Sequence, residues 1–151
     1  MLIKIEEPGS QITLNDVKKL EKELDILLPK QYVEFLVHYN GGFPIPNYYP
    51  VEEHQENILE MQVFFGIKRK IESSCLDWNF HEYKGYIPNN LFPIGCSSGN
   101  DLICLSLSGK DKGAVLFWDL MDEAEQLSYA NVYKIANSFS EFLMCLCEFE
   151  D

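Results

Sequence analysis

The stretch LPKQYVEFLVHYNGG, residues 28–42, contains a helix together with the residues that begin and end it. Proline suits the first helical turn, where the amide hydrogen that Pro29 lacks would have no helical partner. The apolar side chains that follow recur at steps of three and four and form one face: Tyr32, Phe35, Leu36 and Tyr39. Asn40-Gly41-Gly42 then supplies the positive φ angles with which helices commonly end. The stretch therefore predicts an amphipathic helix with one face on a core.

Capping residues indicate two further helices, one on each side of this stretch. Thr13 is a suitable N-cap, and Asp16 would lie near the positive end of the helix dipole. The apolar residues after them form one stripe: Val17, Leu20, Leu24 and Leu27. Near the end of the chain, Ser138 and Glu141 have the spacing of a capping box. They introduce a final amphipathic helix whose apolar residues are Phe139, Phe142, Leu143, Leu146 and Phe149.

The middle of the chain is rich in strand signals. Residues 102–107 and 114–118 are apolar runs on either side of a polar, glycine-bounded connection, which predicts a hairpin. Phe117 and Trp118 are neighbours in its second strand and should face opposite sides of the sheet. Residues 61–67 predict a short buried strand, residues 43–60 a proline-rich loop, and residues 71–86 favour no single type. Helices on both sides of a strand-rich middle predict an α+β protein with helices packed on an antiparallel sheet.

The net charge of −12 is unevenly distributed, with −6 in residues 1–60, +1 in residues 61–100 and −7 in residues 101–151. Such a chain repels nucleic acid and anionic membranes and attracts basic partners. No apolar run approaches the roughly 20 residues of a membrane span, and the N-terminus does not resemble a signal peptide. The five cysteines suggest no disulfide framework. We therefore expect a cytoplasmic protein that binds neither nucleic acid nor membrane.

The loop-like stretch LFPIGCSSGND, residues 91–101, is the first place to look for chemistry. A phosphate loop would need a lysine and a hydroxyl that open a helix, and here a strand follows. A nucleophile at Cys96, Ser97 or Ser98 would need an oriented base, and none of the three histidines has such a context. The sequence contains neither a CxxC nor an HxxxH spacing, so we predict no metal, no cofactor and no catalytic residue. The stretch is expected to end a short strand, turn at residues 97–100 and begin the next strand at Asp101.

Three motifs in the same order resemble the SUKH superfamily, and within it the Smi/Knr family of cell-wall-assembly regulators. They are LPKQYVEFL with YNGG (28–42), LFPIG with GNDLICL, GAV and WD (91–119), and SFSEFL (138–143). The resemblance covers roughly residues 13–146, so residues 1–151 are identified as a single domain of this type. It implies an α+β fold with helices against a mixed, mostly antiparallel sheet. At the position after Trp118-Asp119 the family often has a histidine, whereas this chain has Leu120.

The resemblance also implies a function. Most bacterial members are immunity proteins that bind and neutralise a polymorphic toxin domain, and none has an established catalytic centre. The expected partner is therefore the C-terminal domain of a cognate toxin, such as a nuclease, with a basic surface. We predict that exposed aromatic residues anchor it and acids attract it. The predicted toxin-binding residues are Tyr48, Tyr49, Asp77, Trp78, Glu82, Tyr83, Asp119, Asp122, Glu123 and Glu125.

Two alternatives compete with immunity. The first is a non-catalytic regulatory or scaffold module that recruits cellular proteins, as the fungal members of the family suggest. The second is a hydrolase, which predicts a reactive Cys96 with a lowered pKa.

Overall fold

The predicted hairpin lies inside a six-stranded sheet of antiparallel strands. The computed structural model describes residues 3–51, 53–54, 56–99, 101–120 and 126–149. The strands in these residues are β1 (Lys4–Glu6), β2 (Phe43–Ile45), β3 (Tyr48–Pro50), β4 (Ile58–Phe64), β5 (Leu91–Ser97), β6 (Leu102–Ser106), β7 (Val115–Trp118) and β8 (Val132–Ala136). The sheet follows the order β3-β4-β5-β6-β7-β8, and a separate ribbon pairs β1 with β2.

The helices of the described residues are α1 (Leu14–Leu24), α2 (Lys30–Tyr39), α3 (Leu76–Tyr83) and α4 (Phe139–Cys145). The α+β class is thus confirmed, and every strand pair in the described residues is antiparallel, so the expected mixture of directions is not found there. The capping box predicted for the first helix is present: Thr13 accepts from the Asp16 amide, and the Asp16 carboxylate accepts from the Thr13 amide at 2.8 Å.

Two segments of the chain differ from the prediction. Residues 43–60 hold β2, β3 and the start of β4 rather than a loop only, because edge strands accept the prolines that a central strand would exclude. Residues 71–86 contain a 3-10 turn at Glu72–Ser74 and then α3. The last helix ends at Cys145, and Phe149 instead places its ring 5.2 Å from that of Tyr48.

Helices cover both faces of the sheet. On one face, Phe35 of α2 lies with its ring 4.8 Å from Phe64 and 5.0 Å from Phe139. On the other face α3 packs on β5, with the Phe80 and Phe92 rings 6.0 Å apart. Phe117 and Trp118 face opposite sides, as predicted, and yet both are buried because α3 places Tyr83 5.9 Å from the Trp118 ring.

Asn40 joins three segments at the end of α2. Its left-handed backbone ends the helix, and its buried side-chain amide donates to the carbonyl oxygens of Ser10 and Ile67 at 3.0 and 2.9 Å. Its Oδ1 accepts from the Ile67 amide at 2.6 Å. A Cβ on Gly66 would come within 2.2 Å of the Asn40 carbonyl oxygen, so only glycine permits this approach. Asn40 therefore positions residues 66–70, next to which α3 begins.

Within the described residues, no helix combines the length and the apolar character that crossing a membrane requires.

Candidate protein-interaction surface

Helix α3 presents three of the predicted toxin-binding residues on its outer side. The Leu76 amide donates to the Gly66 carbonyl at 2.9 Å, and buried Asn79 donates to the carbonyl oxygens of Ser73 and Cys75. These bonds hold the start of the helix against residues 66–75. The outward residues are exposed Asp77, half-buried Trp78 and exposed Glu82. The sequence placed no helix here, because its acids and aromatic residues follow no clear period.

These three residues line a cleft of about 1080 Å³ between α1, residues 67–70 and α3. The α1 wall consists of Asp16, Lys19, Leu20 and Glu23. The α3 wall consists of Asp77, Trp78, His81 and Glu82. Lys68, Arg69 and Lys70 also line the cleft. Lys19, Leu20 and Glu23 follow Asp16 by three, four and seven residues, so the four side chains share one face of the helix.

The cleft is charged, and its charges have no ionic partner among the described residues. In those residues a basic nitrogen lies within 4 Å of a carboxylate at two places, His54–Asp119 and Lys134–Asp111, and neither includes a residue of the cleft. Arg69 is held by the backbone, since its guanidinium donates to the carbonyl oxygens of Asn40 at 3.3 Å and Glu7 at 3.1 Å. The exposed carboxylates of Glu23, Asp77 and Glu82 are therefore available to meet charges on a partner.

The two tyrosines predicted together as exposed anchors have different surroundings. Tyr49 is 0 % exposed, which contradicts its predicted exposure. It points into the sheet between Phe117 and Phe142, and its hydroxyl lies 2.8 Å from Ser97 Oγ. Burial raises its pKa. Tyr48 alternates to the other side of β3, is half-buried and pairs its backbone with Cys147.

Asp119 is also buried, contrary to its predicted place on a charged surface. Its Oδ2 lies 2.7 Å from His54 Nε2. The Glu56 amide donates to His54 Nδ1 at 3.1 Å, so the proton of the neutral ring is on Nε2 and is donated to Asp119. The backbone of Asp119 pairs with Asn131, and the carboxylate of Asp101 accepts from the Leu120 amide at 2.7 Å. These bonds close the base of the loop that joins β7 to β8, which is a structural role.

The remaining predicted residues are not part of the cleft. Tyr83 is half-buried against Trp118, and burial raises its pKa. Asp122, Glu123 and Glu125 lie outside the described residues. The structure thus brings together Asp77, Trp78 and Glu82, and it separates them from Tyr48, Tyr49 and Asp119.

Sequence reasoning missed the α1 wall of the cleft and one apolar surface. Lys19 and Glu23 are polar residues of α1, and nothing in the sequence shows that α3 faces them. A second group of exposed residues consists of Tyr86, Leu127 and Tyr129, about half exposed each. The Leu127 amide donates to the Tyr86 carbonyl at 2.8 Å, and the Tyr129 hydroxyl donates to Asn90. Their proximity depends on contacts between distant parts of the chain.

The stretch LFPIGCSSGND is a strand followed by a turn, and its Cys96 has the surroundings of a packed thiol. Residues 91–97 form β5, and the polar turn after it leads to β6, as the simplest interpretation of LFPIGCSSGND predicted. Burial raises the pKa of Cys96 to about 11, which is opposite to the lowered pKa that the hydrolase alternative requires. No group of three or more His, Cys, Asp or Glu side chains in the described residues is arranged to hold a metal ion.

Comparison with protein families matches residues 11–145 to the SMI1 / KNR4 family (SUKH-1). The chain belongs to this family. The match includes α1, the cleft and α4, and it confirms the resemblance that the three motifs carried. A relative, the SPbeta prophage-derived uncharacterized protein YokK of Bacillus subtilis (strain 168), is 27 % identical over 154 aligned positions. The alignment covers 90 % of this chain and 75 % of that protein. Members of the SUKH-1 family are generally non-catalytic immunity or regulatory proteins.

Proposed function

We propose that this SUKH-1 protein is an immunity protein that binds and neutralises the C-terminal domain of a cognate polymorphic toxin in the bacterial cytoplasm. The observation that carries the proposal is the α3 surface. It places the half-buried indole of Trp78 between two exposed carboxylates, Asp77 and Glu82, on a protein with a net charge of −12. Family membership supports the same function.

The chemistry of this surface suits a partner with a basic groove. Tryptophan is enriched among the residues that contribute most to binding, because its large ring excludes water from a well-packed contact. Unpaired surface carboxylates increase the rate at which a basic partner is captured. A toxin that binds nucleic acid needs a positively charged groove, and an acidic protein bound there competes with the phosphates of the substrate. The proposal includes Asp122, Glu123 and Glu125 because their negative charges would add to the attraction for a basic partner.

The test is co-purification with the C-terminal domain of the protein encoded immediately upstream, at about 50 and 200 mM salt. We expect a one-to-one complex and loss of that domain's toxicity in cells that produce both proteins. Trp78→Ala should weaken the complex by about tenfold or more, equivalent to about 1.4 kcal/mol. Tyr86→Ala is a control, since it truncates a large aromatic side chain that is about half exposed and lies outside the cleft.

Absence of a complex at either salt concentration, with no protection from toxicity, would reject immunity. The regulatory module would then become the leading function. In that case the same α3 surface would recruit a cellular protein, and the partners captured by wild type but lost by Trp78→Ala would identify it.

A further inference from the structure

We infer that the cleft between α1 and α3 receives one segment of the toxin domain, with lysine or arginine at the end near Glu23 and Glu82 and an apolar side chain over Trp78. This inference rests on the proposed function. It adds the α1 wall, which the sequence did not associate with a site, and it assigns a direction to the bound segment.

Both walls of the cleft begin at residues 66–70. The first residue of α3 is bonded to Gly66, as described above. On α1, the backbone and hydroxyl of Thr13 lower the pKa of Asp16 by hydrogen bonds, and the positive charges of Lys68 and Lys19 lower it further. The Asn40 amide donates to both the Ser10 and the Ile67 carbonyl oxygens, so the segment that leads into α1 lies beside residues 66–70. Both helices therefore begin at the same end of the cleft, which is the end with the basic residues 68–70.

The opposite end of the cleft is acidic. Glu23 lies seven residues after Asp16, which corresponds to about 10 Å along α1. Glu82 lies five residues after Asp77, or about 7.5 Å along α3. Both carboxylates are exposed, and neither has an ion-pair partner among the described residues. His81 is the other titratable residue that lines this part of α3. A cationic side chain of the partner would thus find two carboxylates at this end.

The basic end is closer to neutral, which gives the cleft its polarity. Its cations are Lys68, Arg69 and Lys70, and its acids are Asp16, Glu72 and Asp77, whereas Lys19 lies about midway along the α1 wall, beside Leu20. Arg69 is committed to two backbone carbonyls and Asp16 to the capping box. The attraction for a basic side chain is therefore strongest at the Glu23–Glu82 end.

The middle of the cleft is apolar. Leu20 lies between Asp16 and Glu23 on α1, is buried and lines the cleft, and Trp78 is half-buried in the α3 wall. A single apolar side chain placed over Trp78 would be removed from water on several sides, as happens at the centre of tight interfaces. The volume of about 1080 Å³ admits one helix face or one extended segment.

Charge reversal tests the inference with the upstream-encoded toxin domain as the probe. Glu23→Lys and Glu82→Lys should each raise the Kd for that domain about tenfold or more, since each places a cation where the partner's cation binds. Glu34→Lys is the matched control. Glu34 is an exposed acid on α2 that does not line the cleft, and its reversal changes the net charge by the same amount. We expect its Kd to change by about twofold or less.

Each outcome distinguishes the two proposals. If wild type binds and all three variants bind equally well, or all three weaken equally, the cleft is not the docking site, although immunity stands. If wild type does not bind the domain, the proposed function fails and this inference fails with it. Thermal melting must show that the variants are folded. In the wild-type complex, hydrogen exchange should slow at residues 14–24 and 76–83, and slowing confined to other segments would overturn the inference.

Discussion

At the scale of single residues, the polar atoms that the fold buries decide most of the local structure. The buried amide of Asn40 is fully hydrogen-bonded, and Tyr49 and His54 each have a polar partner. Two buried side-chain atoms have no partner among the described residues, the Tyr32 hydroxyl and Asn131 Oδ1. An unpaired buried hydroxyl costs about 1–3 kcal/mol of stability, so such groups are rare.

Replacing Tyr32 by phenylalanine should therefore stabilise the protein. We expect Tyr32→Phe to raise the free energy of unfolding by about 1 kcal/mol, since it removes an unsatisfied polar atom and keeps the ring packed 5.2 Å from that of Phe139. Tyr49→Phe is the matched control and should lower it by about 1 kcal/mol, because the hydrogen bond with Ser97 is lost. Urea unfolding measures both. Equal losses in the two variants would contradict the argument.

Asp101 should make stability depend on pH. Burial, followed by the nearby charge of Asp119, raises its pKa in the folded protein above the usual value of 3.8. The folded state thus holds this proton more tightly than the unfolded chain, and stability is lost as the pH rises through the folded pKa. The substitution Asp101→Asn would keep an oxygen for the Leu120 amide and remove the charge.

We expect Asp101→Asn to melt at a higher temperature than wild type at pH 7. The difference should shrink as the pH falls to about 3, where the wild-type carboxyl is protonated in both states. Melting curves between these pH values measure it. A difference that does not vary with pH would show that the charge of Asp101 is not its cause.

At the scale of elements, caps and chain direction determine where the walls of the cleft begin. Helix α1 has a reciprocal capping box, the N-cap of α2 is Pro29 and makes no side-chain hydrogen bond, and the Ser138 hydroxyl caps α4. Helix α3 has no side-chain cap and depends on bonds to residues 66–75. The α1 wall is thus specified locally, whereas the α3 wall requires the rest of the fold.

The capping box of α1 gives a prediction at this scale. Thr13→Ala should lower the free energy of unfolding by about 1 kcal/mol, because the Asp16 amide loses its side-chain acceptor. Thr13→Ser keeps the hydroxyl and should cost less than about 0.5 kcal/mol. Chemical denaturation compares the two. A loss of the same size in both variants would mean that the methyl group of Thr13, and not its hydroxyl, is responsible.

At the scale of the whole molecule, the net charge of −12 should govern how quickly a basic toxin domain is captured. Surface charges act over roughly 10 Å at 0.1 M salt, so the rate of association should depend on ionic strength. Raising salt from about 50 to 300 mM should slow association with the upstream-encoded domain about tenfold and change dissociation much less. Surface plasmon resonance separates the two rates. If only dissociation changes, long-range attraction is not responsible for capture.

Sequence by itself determined the features that depend on neighbouring residues. The helix within residues 28–42, the capping box at Thr13, the 102–118 hairpin and the family motifs all follow from local periodicity and turn chemistry. The three cleft residues on α3 were also named from the sequence, as acids beside aromatic residues.

Only the tertiary structure decided which of the predicted site residues face water and which face one another. Tyr49 and Asp119 lie in polar or aromatic stretches, as Asp77 and Trp78 do. Local sequence therefore does not show which of the four are buried and which line the cleft. The pairing of β3 with β4 and the position of His54 bury the first two. The cleft itself exists because Asn40 and Gly66 hold residues 66–70 between α1 and α3, and contacts across such distances in the chain leave no periodic pattern.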